Sequence, residues 1–372
     1  MSDKKTIAVV FGGQSSEHEV SRVSAQSVIS NINKDKFNIV MFGITKDGRW
    51  LHYDGPVECL GTGEWQAIAE AKNSRMLSDG SAPLVPAGSS AKGIFKLSDG
   101  GTPSIDVVFP VLHGCNGEDG TVQGLFELAG IPYIGPGVLG SAIGMDKVYS
   151  KIIFEKEGLP QGKYVVCYRK QIASVIDQVI KDVEKVLEYP CFIKPSNAGS
   201  SVGVGKAHNR KELADFLENA ARYDRKVLVE EFINGREIEC AVLGNDEPMA
   251  STVGEVVPCN EFYDYNAKYL DNSSKTVIPA DLPAATIAEI RDYAVRAFKS
   301  LDLAGLTRVD FFVHKETGKV YINEVNTLPG FTSISMYPQL WEASGIPYGE
   351  LIERLAELAI ERFEDNKKEV NR

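Results

Sequence analysis

The chain begins with an unbroken apolar run, Thr6 to Phe11, closed by Gly12-Gly13 and followed by helical periodicity from about Ser16 to Ile32. A run without alternation reads as a strand covered on both faces. Similar runs span Asn38 to Ile44 and Ile105 to Val111, the latter followed by a helix over Thr121 to Leu128. Alternating strands and helices predict a doubly wound parallel α/β domain over residues 1–135. Residues 50 to 104, rich in Gly, Ser and Asp, read as an irregular excursion from that domain. The pattern changes after Gly135. Helices are predicted at about 141 to 157 and 172 to 187, then the strand Cys191 to Lys194, a glycine-serine loop and the strand Val202 to Lys206. A helix at about 210 to 221 and the strand Lys226 to Phe232 complete a unit assigned to 136–229. A final unit, 230–372, holds long strands at 236 to 244 and 249 to 257 and a polar aromatic segment at 258 to 275. It also holds helices at 284 to 300 and 348 to 365. No internal repeat is visible.

Composition narrows the classes. A 43% hydrophobic, 24% charged chain is ordinary for a globular protein, and a net charge of -11 argues against a nucleic-acid-binding surface. No stretch approaches the roughly eighteen apolar residues of a membrane span, and the start resembles no signal peptide, so a cytoplasmic protein is expected. The six cysteines form no CxxC pair, which makes structural zinc or a disulfide framework unexpected; Cys191 and Cys240 read as buried hydrophobes.

The most informative stretch is a hairpin, Arg308-Val309-Asp310 against Ile322-Asn323-Glu324-Val325-Asn326. A three-residue loop, Glu316-Thr317-Gly318, with its glycine left-handed, would set Asp310 opposite Glu324 and Arg308 opposite Asn326, all on one face. Facing carboxylates lie about 5 Å apart at Cβ and repel, so a cation is expected between them. Two carboxylates and an amide oxygen suit magnesium. The alternative is a surface hairpin whose acids lean apart into solvent.

Other segments carry paired readings. Lys194 to Gly203 is a strand, a small-residue turn and a strand, able to cradle phosphate or to be a plain hairpin; it is not a Walker A loop, because its lysine precedes the glycines. Lys147 sits at a helix start, where an anion or plain solvation explains it. Val227 to Ile233 turns abruptly acidic at Glu230-Glu231, as a nucleotide-framing strand or as a solvated strand end. Glu17 and His113 follow the carboxyl ends of parallel strands, where α/β ligands bind. Helix-dipole compensation and a structural histidine are their simpler readings. Tyr263 to Tyr269 is too polar for core and reads as a lid or an edge strand.

Taken together these motifs resemble the ATP-grasp superfamily, and within it the D-alanine–D-alanine ligases, from Ile7 to about Glu350. The resemblance rests on Gly12-Gly13 with Glu17 to Ser21, His113-Gly114 with Gly117 to Gly120, and Met145-Asp146-Lys147. It extends through the Lys194 to Gly203 loop, Tyr263 to Tyr269, and Arg308 to Asp310 with Asn323 to Gly330. It implies an ATP-grasp fold, α+β in the ATP-binding part, behind the amino-terminal α/β domain. By the same resemblance Lys147, Lys194, Ser200, Ser201 and Lys268 contact ATP phosphates, and Glu230, Phe232, Ile233 and Glu237 frame adenine and ribose. Asp310, Glu324 and Asn326, with Asn323 beside them, hold two magnesium ions, for which manganese can substitute. Glu17 and His113 receive the first D-alanine, and Ser335 and Met336 the carboxylate of the second. Arg308 and the Gly330 amide face the oxyanion, while Glu17, Ser200 and Tyr269 form a proton relay. Phe232 replaces the tryptophan of some members. Tyr269 implies D-alanine as acceptor, since members using D-lactate tend to carry phenylalanine or a different loop. The implied protein is a cytoplasmic homodimer serving peptidoglycan synthesis. The rival readings are a ligase with D-lactate or D-serine as acceptor and a nucleotide-binding regulator without turnover.

Overall fold

The computed structural model describes residues 4–77, 95, 101, 103–257 and 275–367. The first unit contains β1 (Lys5–Gly12), α1 (His18–Asn31), β2 (Phe37–Ile44) and β3 (Trp50–Tyr53). It continues through α2 (Glu58–Thr62), α3 (Trp65–Leu77), β4 (Val107–Val111) and α4 (Thr121–Ala129). Its sheet runs β3-β2-β1-β4, with β1 parallel to both β2 and β4. The uninterrupted apolar runs are therefore the parallel strands of this sheet, β1 and β2 inside it and β4 beside β1 at its end. The excursion after residue 50 is more regular than expected. β3 adds antiparallel to β2, and Trp65 packs edge-on to Phe11 in the core. Glycine and serine density concealed the few large apolar anchors that order this segment.

Next come α5 (Val138–Met145), α6 (Lys147–Lys156), β5 (Tyr164–Tyr168), α7 (Arg169–Glu184), β6 (Cys191–Pro195), β7 (Gly205–Ala207), α8 (Arg210–Tyr223) and β8 (Lys226–Glu231). The sheet order is β5-β8-β6-β7, all pairs antiparallel. Two expectations are corrected. The helix expected at 141 to 157 is two helices, because Asp146 leaves helical geometry (ψ 99°) to cap α6, accepting from the Val148 and Tyr149 amides. The strand expected from Val202 starts only at Gly205, since Ser200, Ser201 and Gly203 all take left-handed φ.

The last unit holds β9 (Gly235–Gly244), β10 (Met249–Val257), β11 (Lys275–Val277), α9 (Ala284–Ser300), β12 (Gly305–His314), β13 (Val320–Asn326), α10 (Met336–Ala343) and α11 (Tyr348–Asp365). Its sheet runs β11-β10-β9-β12-β13. One face shares α10, α11 and a continuous core with the amino-terminal sheet: Phe109 and Phe11 lie in the same cluster as Phe331, Tyr337 and Leu355. That shared core fixes the carboxyl ends of β1 and β4 against the segment after β13. Among the described residues no helix is long and apolar enough to cross a membrane.

The hairpin β12–β13 pairs Arg308 with Asn326 and Asp310 with Glu324, as expected, but by another route. The loop has four residues, not three: the His314 amide bonds to the Lys319 carbonyl, and Gly318 (φ 69°) donates back to His314. Pairing therefore starts one step out of the expected register, with Phe311 opposite Ile322. A bulge at Asn323 adds one residue to β13 and restores the pairing at Asp310.

Candidate active site

At the end of β1 the chain must turn sharply. A Cβ on Gly12 (φ 90°) would lie 2.2 Å from the Ile44 carbonyl oxygen, so only glycine fits. The turn delivers Glu17, 6% exposed, to a pocket whose walls are Gly114 and Gly199; a Cβ on Gly114 would stand 2.4 Å from its carboxylate. Ser200 reaches across from the β6–β7 loop to donate a hydrogen bond to Glu17. Holding two adjacent serines in the left-handed region is unfavourable for L-residues, and the pair persists because two successive turns enclose it.

His113 lies beside this pocket, buried, with Nδ1 donating to the Leu328 carbonyl (3.1 Å) and Nε2 3.2 Å from the Ser24 hydroxyl. Glu118 approaches the same Nδ1 at 3.7 Å. Burial works against charge on His113, but Glu118 and Glu17 outweigh it and its pKa is raised. Glu118 is pushed up to about 7, mainly by burial, with Glu17 adding to the rise and His113 opposing it. His113 thus makes the contacts of a structural histidine, to Leu328 and Ser24, and in addition feels the charges of Glu118 and Glu17. Glu118 lies inside the Gly117 to Gly120 motif, and burial, which the sequence does not display, is what perturbs it.

The second half of the site lies between the β5-β8-β6-β7 sheet and the hairpin. Lys147, at the first turn of α6, donates to the Ala198 carbonyl (3.0 Å) and stands 3.4 Å from Glu324. Lys194 on β6 pairs with Glu230 (2.9 Å) and donates to the Asn323 side chain (3.2 Å). The bulge residue is thus the hairpin's contact with Lys194. Glu230 is not a solvated strand end: it is buried between Lys194 and Lys151, the latter 2.6 Å away, and is held at about 2. Burial alone would raise it, but the two lysines dominate. Phe232 is more open, its ring 4.4 Å from the Lys206 ammonium, while Ile233 and Glu237 are half-buried.

Asp310 is also met by a cation of the protein itself. Arg308 grips Asp310 with Nε (2.7 Å) and Nη2 (2.8 Å), and Nε also lies 3.1 Å from Glu239. Glu239, opposite Asp310 on β9, makes a row of three acids across the sheet with Asp310 and Glu324. Nothing local in the sequence marks it, because β9 is sixty or more residues away from β12. Asp310 and Glu239 overcome burial and raise the Arg308 pKa further. Among the described residues no three acidic, histidine or cysteine side chains converge as a metal cluster. The hairpin set is instead two carboxylates and the Asn326 amide, whose Oδ1 is buried with no hydrogen-bond partner. An orphaned carbonyl oxygen beside two acids fits a hard cation.

After β13 the chain folds back over β1 and β4. A Cβ on Gly330 would stand 2.9 Å from the Ser335 hydroxyl, which would have to turn away to admit it. Ser335 bonds to Thr332, and Met336 buries its side chain in the shared core at the start of α10. Lys268 and Tyr269 lie outside the described residues.

Comparison with known proteins now decides the family. The family described as "D-ala D-ala ligase N-terminus" matches residues 6–136 and that described as "D-ala D-ala ligase C-terminus" matches 153–357. The chain belongs to the D-alanine–D-alanine ligase family. It is 63% identical over 373 residues to a protein named D-alanine--D-alanine ligase in Acetivibrio thermocellus, covering 99% of both. A counterpart from Ruminiclostridium cellulolyticum is 66% identical, with 98% of each covered. Among solved structures, the VanG D-Ala:D-Ser ligase from Enterococcus faecalis superposes with a TM-score of 0.82 at 40% identity, over 96% of this chain and 100% of that one. The D-alanine-D-alanine ligase from Coxiella burnetii gives 0.80 at 35%, over 98% and 96%. The fold is accordingly ATP-grasp, and the chain is an ATP-dependent ligase that uses a divalent metal.

Proposed function

We propose that the chain joins two D-alanine molecules at the expense of ATP, through a D-alanyl phosphate, for peptidoglycan precursor synthesis. The observation that carries this reading is the meeting of Glu17 and Ser200, which ties the phosphate-loop candidate directly to the pocket at the end of β1. One side chain thus links an ammonium-binding carboxylate to the segment that would hold the transferred phosphate.

The chemistry follows from the two ends of the site. A carboxylate is a poor electrophile, so the first D-alanine must be phosphorylated before it can be attacked. Lys147 and Lys194, with Ser200, Ser201 and Lys268, would neutralise and orient the phosphates; Glu230, Phe232, Ile233 and Glu237 would frame the nucleoside. Asp310, Glu324 and Asn326 would hold two magnesium ions, with Asn323 beside them; the metal supplies charge neutralisation at the phosphates when bound. Glu17 and His113 would fix the first D-alanine, and Ser335 with the Met336 amide the carboxylate of the second. The second amine then attacks the carbonyl carbon of the D-alanyl phosphate, Arg308 with the Gly330 amide would stabilise the tetrahedral oxyanion, and its collapse breaks the bond to phosphate, which leaves. Glu17, Ser200 and Tyr269 would carry the proton away. We further propose units at 1–135, 136–229 and 230–372 and a cytoplasmic homodimer. Exposed apolar side chains on α4 and α5, Leu128 and Leu139, support an interface there.

The test is phosphate release with ATP, magnesium and D-alanine, with the product identified by mass and with D-serine and D-lactate as competing acceptors. D-alanyl-D-alanine as the main product is the expected result. A mixed product would overturn the acceptor assignment, and no turnover with any D-amino acid would overturn the ligase reading.

A further inference from the structure

Lys151 has no part in the chemistry above, yet it is 2% exposed, deep on α6. A lysine is rarely buried this far unless its charge is matched. Its Nζ meets Glu230 Oε1 at 2.6 Å, while Lys194 meets Oε2 of the same carboxylate at 2.9 Å. The two lysines differ in outlook. Lys194 is 15% exposed at the side chain and extends toward the hairpin through Asn323, whereas Lys151 is 3% exposed and lies behind Glu230, its ammonium 5.6 Å from the Tyr164 ring. Backbone contacts hold it there: the Lys151 carbonyl accepts from the Gln161 side chain at 2.9 Å.

Without Lys151, Glu230 and Lys194 would form a neutral pair, and Glu324 and Glu237 also act on Lys194. A lysine so matched has little charge left for a phosphate. We propose that Lys151 is a positioning residue that neutralises Glu230 from behind, so that the charge of Lys194 remains available to the phosphates of a bound adenine nucleotide. The proposal rests on the nucleotide reading of the site and adds a mechanism to it: one buried acid organises two lysines, and only the outer one faces ligand.

A phosphate-directed role and a merely structural one differ in how the loss depends on ligand charge. Titration calorimetry with adenosine and with ADP, at fixed magnesium and ionic strength, separates them. Lys151→Met is expected to weaken ADP about tenfold, the order expected of one partly screened charge, and adenosine less than twofold. Lys151→Arg, which keeps the charge, retains the wild-type ratio of the two affinities. The double variant Lys151→Met/Glu230→Gln removes both charges and is expected to restore that ratio, and it carries the test should the single variant fail to fold. An equal loss for adenosine and ADP, an unchanged ADP affinity, or a double variant whose ratio stays low each overturns the proposal. Wild-type protein that binds no adenine nucleotide would instead overturn the nucleotide reading itself.

Discussion

Glu118, at the proposed amino-acid end of the site, and Glu230, at the proposed nucleotide end, are equally buried, each 7% exposed. Burial pushes both carboxyls up, yet Glu118 comes to rest at about 7 and Glu230 at about 2. The difference lies in their neighbours. Glu118 shares its pocket with the like charge of Glu17 and one titratable histidine, whereas Glu230 is gripped by two lysines. The same depth of burial therefore makes one end responsive to protons near neutrality and leaves the other permanently ionised. That division suits a reaction in which one end handles an amine proton and the other binds polyphosphate.

If the nucleotide end depends on matched charges, removing one should be costly. Glu230→Gln is expected to lower stability by about 3 kcal/mol, because it strands the buried ammonium of Lys151 and the half-buried one of Lys194. Urea unfolding at neutral pH measures it; a loss under about 1 kcal/mol would mean that the lysines relax into water and that the contrast with Glu118 is not real. Arg308→Lys keeps the charge beside Asp310 and Glu239 but gives up the planar fork that holds both Asp310 oxygens. Loss of one oxyanion donor is expected to lower kcat about 100- to 1000-fold. Steady-state kinetics showing less than a tenfold fall would remove Arg308 from the transition state.

The two ends also differ in how far the sequence reveals them. Most of the elements are legible, because unbroken apolar runs and helical periodicity are local signals; the helices expected at 284 to 300 and 348 to 365 are α9 and α11. The Asp310–Glu324 pairing is legible too, although a longer loop and a bulge at Asn323 offset each other to produce it. What local reading misses is every contact made across the fold. Glu239 joins the metal-side acids from a different strand, Lys151 reaches Glu230 from a helix, and Asp146 splits a predicted helix to receive Lys226, Ser196 and Asn197. Charge in a sequence carries no mark of burial, so the groups with the most perturbed environments look like ordinary surface residues.

The smallest effect gives the finest test of the contrast, since it uses opposite pH windows. In the unfolded chain both carboxyls titrate near 4.5. Between about 4.5 and 7 the folded protein holds a proton on Glu118 that the unfolded chain has lost. Glu118 therefore contributes stability at the acid end of that window, up to about 3 kcal/mol, and the contribution disappears as pH rises through 7. Glu230 acts in the reverse sense: its contribution is complete above 4.5 and is lost as pH falls toward 2. His113, raised above 6.5, stabilises below that value and loses its contribution at higher pH, in the same direction as Glu118. Glu118→Gln separates the two, because an amide resembles the protonated carboxyl in shape and charge. The variant is expected to stay within about 1 kcal/mol of wild type near pH 4.5, to exceed it by about 2–3 kcal/mol at pH 7, and so to show a flatter fall in stability from pH 5 to 7 in urea titrations. A fall as steep as in wild type would assign the proton to His113 and leave Glu118 ionised like Glu230, making the two ends of the site electrostatically alike.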